Sequence, residues 1–181
     1  MTDINEPLIE PLEAQRRPPA APRPRRQPEA ELLAFAELLF FAYRDFVSDP
    51  DKILKDYDFG RAHHRVIHFV GRHPGICVAE LLDILRITKQ SLGRVLRQLI
   101  DTGHIRQEAG EADRRQRLLY LTRRGQDLHE RLMAPQAQRV RAAIAAGGGA
   151  ASRDVLFRLV DAADRNHVLA LLDRAAVRRN G

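Results

Sequence analysis

The chain has a single cysteine, Cys77, which excludes an internal disulfide and points to a reducing compartment. No apolar run approaches the roughly 20 residues that a membrane span needs. Prolines and charges interrupt the N-terminal stretch where a signal peptide would carry its apolar core. The chain is therefore expected in the cytoplasm, away from membranes. A phosphate-binding glycine loop is also missing. Gly147-Gly148-Gly149 has no preceding strand and no following Lys-Ser or Lys-Thr, and reads as a helix break. No serine or cysteine has a base suggested by its surroundings, so neither an enzyme nor a cofactor is expected.

The 181 residues, 44% hydrophobic and 30% charged, suit one soluble, largely helical domain and a tail. Lys plus Arg number 30 against 24 Asp plus Glu, an excess that favours an anionic partner, nucleic acid before membrane.

Residues 1–29 hold seven of the ten prolines, and five arginines there are balanced by five acids. Proline lacks the helix donor and fixes φ, so this segment is expected to be a disordered tail. From Glu29 the pattern changes. Leu32, Leu33, Phe35, Leu38, Leu39, Phe40, Phe41 and Phe46 lie almost all round a helix, which then needs burial on more than one side. A partner subunit supplies it naturally, and residues 30–57 are assigned to dimerisation. Pro50 is expected to break this helix. A second helix is expected to start at Asp58 as N-cap and to bury Ala62, Val66, Phe69 and Val70 before His73-Pro74-Gly75 ends it.

Two helices with a very short connection follow. The first turns Leu81, Leu82 and Leu85 inward. Thr88 caps the second, which ends at Gly103. Leu92, Val95, Leu96 and Leu99 recur at helical spacing on its inner face, while Gln90, Arg94 and Arg97 lie opposite. Residues 104–122 then read as a β-hairpin with a long charged tip. Helix, helix, tight turn, helix, hairpin is the order of a winged helix-turn-helix. A helix placed in a major groove needs polar groups at its N-terminal end and outer face, and a firm apolar inner face. Lys89, Gln90, Ser91 and Arg94 are thus assigned to bases or nearby phosphates. Arg97, Arg114, Arg115 and Arg117 are assigned to the DNA backbone. Between positions 89 and 124 there are nine basic residues and four acidic ones, so positive charge concentrates on these elements. Asp113 beside the tip arginines is expected to bond arginine or backbone groups and fix the hairpin's shape. Residues 58–125 form the DNA-binding domain in this reading. Residues 126–178 supply further dimerisation helices, with a possible kink at Pro135 and a last helix carrying Val155 through Leu172.

The stretch D-R-R-Q-R-L-L-Y-L-T-R-R-G, 113–125, resembles the wing signature of the MarR family: D-x-R, then a hydrophobic strand ending L-T-x-x-G. Asp113, Arg115, Leu119, Leu121, Thr122 and Gly125 occupy its positions, which makes Asp113, Thr122 and Gly125 structural residues of the wing. VAELLDILRITKQSLGRVLRQLIDTGHI is similar to that family's helix pair. The resemblance spans roughly residues 30 to 175. It implies a mostly α fold: a winged helix-turn-helix with a small β-hairpin wing and an intertwined helical dimerisation domain. It also implies a homodimer on double-stranded DNA at a pseudo-palindromic operator, usually as a repressor, and in many members a small-molecule effector that releases DNA. Effector pockets in the family lie between dimer helices and DNA-binding lobe, where Tyr43, Arg44, His64 and His68 are placed as candidates. Leu82 and Arg86 depart from the small residue and glycine common in such helix pairs. A left-handed Arg86 costs about 1 kcal/mol relative to glycine.

Other features weigh less. His64 and His68 share a helix face near His63 at a spacing that metals use, with His129 or Glu130 as further ligands, but histidines bonded on a helix are far commoner. No metal is assigned. Cys77 reads as a small buried residue before a redox sensor. Phe40, Phe41, Tyr43 and Phe46 read as core before pocket. The alternative to a DNA-binding regulator is a dimeric protein-interaction module with degenerate DNA binding. The basic outer face favours the regulator.

Overall fold

A computed structural model describes residues 28–110, 113–147 and 149–177. The tail assigned to residues 1–29 lies outside them except for its last two. Two units divide the chain, one up to Glu37 and one from Leu38. The described part of the first is the opening of helix α1 (Glu29–Lys55), where Leu32, Leu33 and Phe35 are exposed.

The rest of the order is α2 (Arg61–Arg72), β1 (Ile76–Cys77), α3 (Val78–Leu85), α4 (Lys89–Asp101), β2 (Ile105–Ala109), β3 (Arg117–Leu121), α5 (Arg123–Ala145), α6 (Gly149–Leu159) and α7 (Arg165–Val177). The three strands form one antiparallel sheet in the order β1-β3-β2. Ile76 pairs with Leu119 on one edge of β3, and Gln107 pairs with the same residue on the other. The mostly α winged helix-turn-helix is thus present, with one strand more than the hairpin. A single core gathers Leu54, Val66, Ile67, Val70, Leu81, Leu92, Leu99, Ile105, Leu119, Leu128 and Leu132. It clamps α2, α3 and α4 to the sheet and to the first half of α5. Among the described residues no helix is long and apolar enough to cross a membrane.

Pro50 does not break α1, which continues to Lys55. Proline removes the donor that would reach the carbonyl four residues back, that of Phe46. The buried Gln136 of α5 supplies the donor instead, its Nε2 lying 3.1 Å from Phe46 O. Pro135 likewise lies within an unbroken α5. Asp58 is not the cap of α2: it takes a left-handed φ of 56° in the turn, and Gly60 is the N-cap. Gly60 N–H donates to His63 Nδ1 at 3.1 Å. The last helix is two helices, because Asp161 folds an Asx turn, accepting the Ala163 N–H at 2.9 Å, before α7 begins. Phe40, Phe41 and Tyr43 are exposed within the single chain and Phe46 is half-buried, so the aromatic cluster is not core of one subunit.

Candidate nucleic-acid interface

Thr88 caps α4: its Oγ1 accepts the Ser91 N–H at 3.1 Å and donates to Ser91 Oγ at 2.9 Å. Ser91 is accordingly half-buried and serves the cap with its backbone and hydroxyl. Leu92, Val95, Leu96 and Leu99 are buried, while Lys89, Gln90, Arg94 and Arg97 are exposed. Gln98 anchors the helix sideways through His63 Nε2 at 2.9 Å and the Asp58 carbonyl at 3.1 Å. Sequence reasoning passed over Gly93. It lies exposed in mid-helix, and an added Cβ would meet nothing within 4 Å. A helix-interior glycine costs about 1 kcal/mol against alanine. With no packing reason here, it leaves α4 a bare spot that allows close approach. That missing packing reason is the signal, and the sequence alone does not reveal it.

Arg86 ends α3 in the left-handed region, φ 51° and ψ 44°, where the departure from glycine had placed it. Its side chain reaches Asp164, 2.6 Å away.

The wing is built from backbone and three small devices. At the tip, Asp113 Oδ1 accepts the Arg115 N–H at 2.9 Å, which is the shape-fixing bond expected of it. Gly110 N–H donates to Gln116 O at 3.1 Å, and a Cβ on Gly110 would lie 2.8 Å from Asp113 O. At the root, Thr122 Oγ1 donates to Gly103 O at 2.6 Å and accepts the Gly125 N–H at 3.1 Å, capping α5. A Cβ on Gly125 would sit 2.0 Å from His104 O, so only glycine lets α5 start there. On the outer strand Arg106 pairs with Glu108 and lies 4.5 Å over the Tyr120 ring. Arg114, Arg115 and Arg117 are exposed. Among the described residues, none of Lys89, Arg94, Arg97, Arg114, Arg115 and Arg117 has a carboxylate partner. Six cations without partners present an electrostatic surface that only an outside anion can balance.

The histidines are differently placed. His63 bonds Gln98 and Gly60. His64 is buried, and its Nε2 has no partner among the described residues. His68 Nδ1 lies 3.2 Å from Met133 Sδ, and its ring centroid is 5.8 Å from that of His129 on α5. Among the described residues no three His, Cys, Asp or Glu side chains are placed to hold a metal. Burial first, then the neighbouring charges of His129, His64, Arg72 and His73, push the His68 pKa down from 6.5 to about 4. Burial also lowers His64 and His129. A depressed folded-state pKa favours the neutral ring, so stability is complete above the ordinary value and declines as pH falls from 6.5 through about 4. His68 alone is expected to cost on the order of 3 kcal/mol across that window. Urea midpoints at pH 7.5 and 4.5 check this. A His68→Phe variant should show the smaller drop, and equal drops would show that His68 is not responsible.

Tyr43 and Arg44 are exposed on α1, where Arg44 pairs with Asp45 at 2.8 Å. Of the four pocket candidates only His68 lines a cavity, one of about 390 Å³ that also borders Arg72, Asp83, Ile84, Arg86, Asp164, His167, Leu171 and Leu172. Cys77 is half-buried at the N-cap of α3, its N–H donating to Glu80 Oε2 at 3.1 Å.

Among known proteins, residues 57–116 match the family model described as the MarR family. The HTH-type transcriptional regulator PetP of Rhodobacter capsulatus is 49% identical over 140 residues, covering 76% of this chain and 84% of that protein. Two solved structures share the fold. The transcriptional regulator Tm0710 from Thermotoga maritima has a TM-score of 0.52 at 19% identity, over 78% of this chain and 96% of that one. The MarR family transcription regulator SP03579 has a TM-score of 0.58 at 14% identity, over 80% of this chain and 94% of that one. The chain is a member of the MarR family.

Proposed function

We propose that the protein is a sequence-specific, DNA-binding transcriptional regulator of the cytoplasm, acting as a homodimer on a two-fold operator, with repression as its mode. The observation that carries this reading is the division of α4. Its inner face is locked into the core, and its outer face presents Lys89, Gln90, Arg94 and Arg97 to solvent without partners. A major groove accepts a helix of that kind, N-terminal end first. Gly93 allows the approach, Gln90 and Lys89 reach base edges, and Ser91, Arg94 and Arg97 serve nearby bases and phosphates. The Arg114–Arg117 tip holds the flanking backbone. Residues 58–125 form the reading head in this account, and residues 30–57 and 126–178 join the two subunits.

Exposed apolar side chains support the homodimer. They include Phe40 and Phe41 on α1, Ile144 on α5, Leu156 and Leu159 on α6, and Leu172 on α7. Side chains of that size seldom gather in the open on a lone subunit. A small-molecule effector that releases DNA would occupy the cavity beside His68 and Arg72, where cationic and apolar groups converge.

The test is selection of bound duplexes from random DNA, followed by titration of Gln90→Ala against the selected site and its single-base variants. Loss of one good base contact is expected to cost about 1–3 kcal/mol at the contacted position and to relax preference there. Unaltered preference at every position would remove Gln90 from the reading surface.

A further inference from the structure

Arg86 poses a question that DNA contact does not answer. A non-glycine residue is held left-handed at the turn between α3 and α4, although its strain would vanish with glycine. Its guanidinium is not directed to an open surface but held by Asp164 at 2.6 Å. At the other end of α3, Glu80 divides its two oxygens: Oε2 takes the Cys77 N–H at 3.1 Å and Oε1 takes Arg174 at 2.9 Å. Asp164 immediately precedes α7, and Arg174 lies in its last turn. The C-terminal end of α3 is therefore tied to the start of α7, and the N-terminal end of α3 to the end of α7. Between the two ties Ile84 and Asp83 of α3 face Val168, Leu171 and Leu172 of α7 across the cavity of about 390 Å³. The helices do not interlock there by apolar packing, so the ties set their mutual angle.

We propose that Arg86, Asp164, Glu80 and Arg174 are positioning residues, two ion-pair straps that hold α3, and through its short turn α4, at a set orientation to the C-terminal helix. This rests on the reading that α4 meets DNA. The straps then decide how the reading head is presented, although none of the four residues need touch the duplex. Exposed ion pairs contribute little to overall stability, so their effect appears in presentation rather than in melting.

Electrostatics and positioning predict opposite signs. Asp164→Asn and Glu80→Gln each remove a negative charge, which by itself strengthens attraction to a polyanion. Glu80→Gln also keeps an oxygen for the Cys77 N–H. If the straps position α4, each substitution weakens operator binding by about fivefold. Arg86→Gly relieves the strained turn, so it melts no lower than the wild type yet binds DNA about fivefold more weakly as well. Combining Arg86→Gly with Asp164→Asn does no further harm, because both break one strap. Affinities of the acid-to-amide variants equal to or above the wild type overturn the straps while leaving DNA binding intact. Should the wild-type protein bind no DNA with salt dependence, the function proposed above falls. The straps are then judged on the free protein by amide exchange. Removing both acids should speed exchange in α3 and α4 at unchanged melting temperature, and unchanged exchange overturns the proposal.

Discussion

Replacing Gly125 by alanine is expected to destabilise the fold by about 3 kcal/mol, among the largest effects a single methyl can have. The reason is local and severe. The added carbon would lie 2.0 Å from the His104 carbonyl oxygen and 3.0 Å from its carbon, and both are backbone atoms that cannot rotate away. That carbonyl also accepts the Thr122 N–H at 3.0 Å. Moving it therefore disturbs the joint where β3 ends and α5 starts, and with it the Thr122 bond to Gly103 O. For a chain of this length the melting temperature should fall by roughly 6–12 °C, read by circular dichroism. A change within about 2 °C would mean that the joint is looser than this geometry requires.

Removing the three tip arginines together, Arg114→Ala, Arg115→Ala and Arg117→Ala, should act on the opposite property. The side chains are exposed and unpaired among the described residues, so melting should barely move. Affinity for any duplex should fall by about two to three orders of magnitude at low salt, from charge-assisted phosphate contacts worth about 1.5–3 kcal/mol each. The slope of log affinity against log salt should flatten by about 0.9 for each phosphate released, near 2.7 in all. Fluorescence anisotropy across a salt series measures both. An unchanged slope would take the wing tip off the DNA. The contrast with Gln90→Ala is informative, since one variant loses attraction and the other loses discrimination.

Much of the fold was legible where a local rule speaks directly. The cap at Thr88, the four-residue apolar stripe of α4 and the end of α4 near Gly103 each follow from residues a few positions apart. The left-handed turn at Arg86 and the bond from Asp113 were likewise within reach of turn chemistry. The failures share a different character. Two residues, Ile76 and Cys77, become a strand only because Leu119 and Leu118, over forty positions later, offer a free edge. No periodicity can signal so short a pairing. Pro50 looked like a stop because the residue that replaces its missing donor, Gln136, is remote in the chain. Asp161 could have been found: an aspartate able to close its own turn before a helical run is a local signal, outweighed in the reading by the leucines on both sides. At the candidate interface, residue types identified which side chains carry charge. Only coordinates separated free cations such as Arg94 from committed ones such as Arg86 and Arg174.

The middle strand of the sheet has neighbours on both sides. Its inner edge is pinned at Ile76 and Cys77, and its outer edge carries the arm that leads to the arginines. Lengthening or trimming the segment around positions 110–116 would therefore alter how far the arm extends while its foundation stays where it is. Reach and attachment are separable in this protein: span across a duplex can be retuned by a few residues at the apex, without re-engineering the hydrophobic interior beneath.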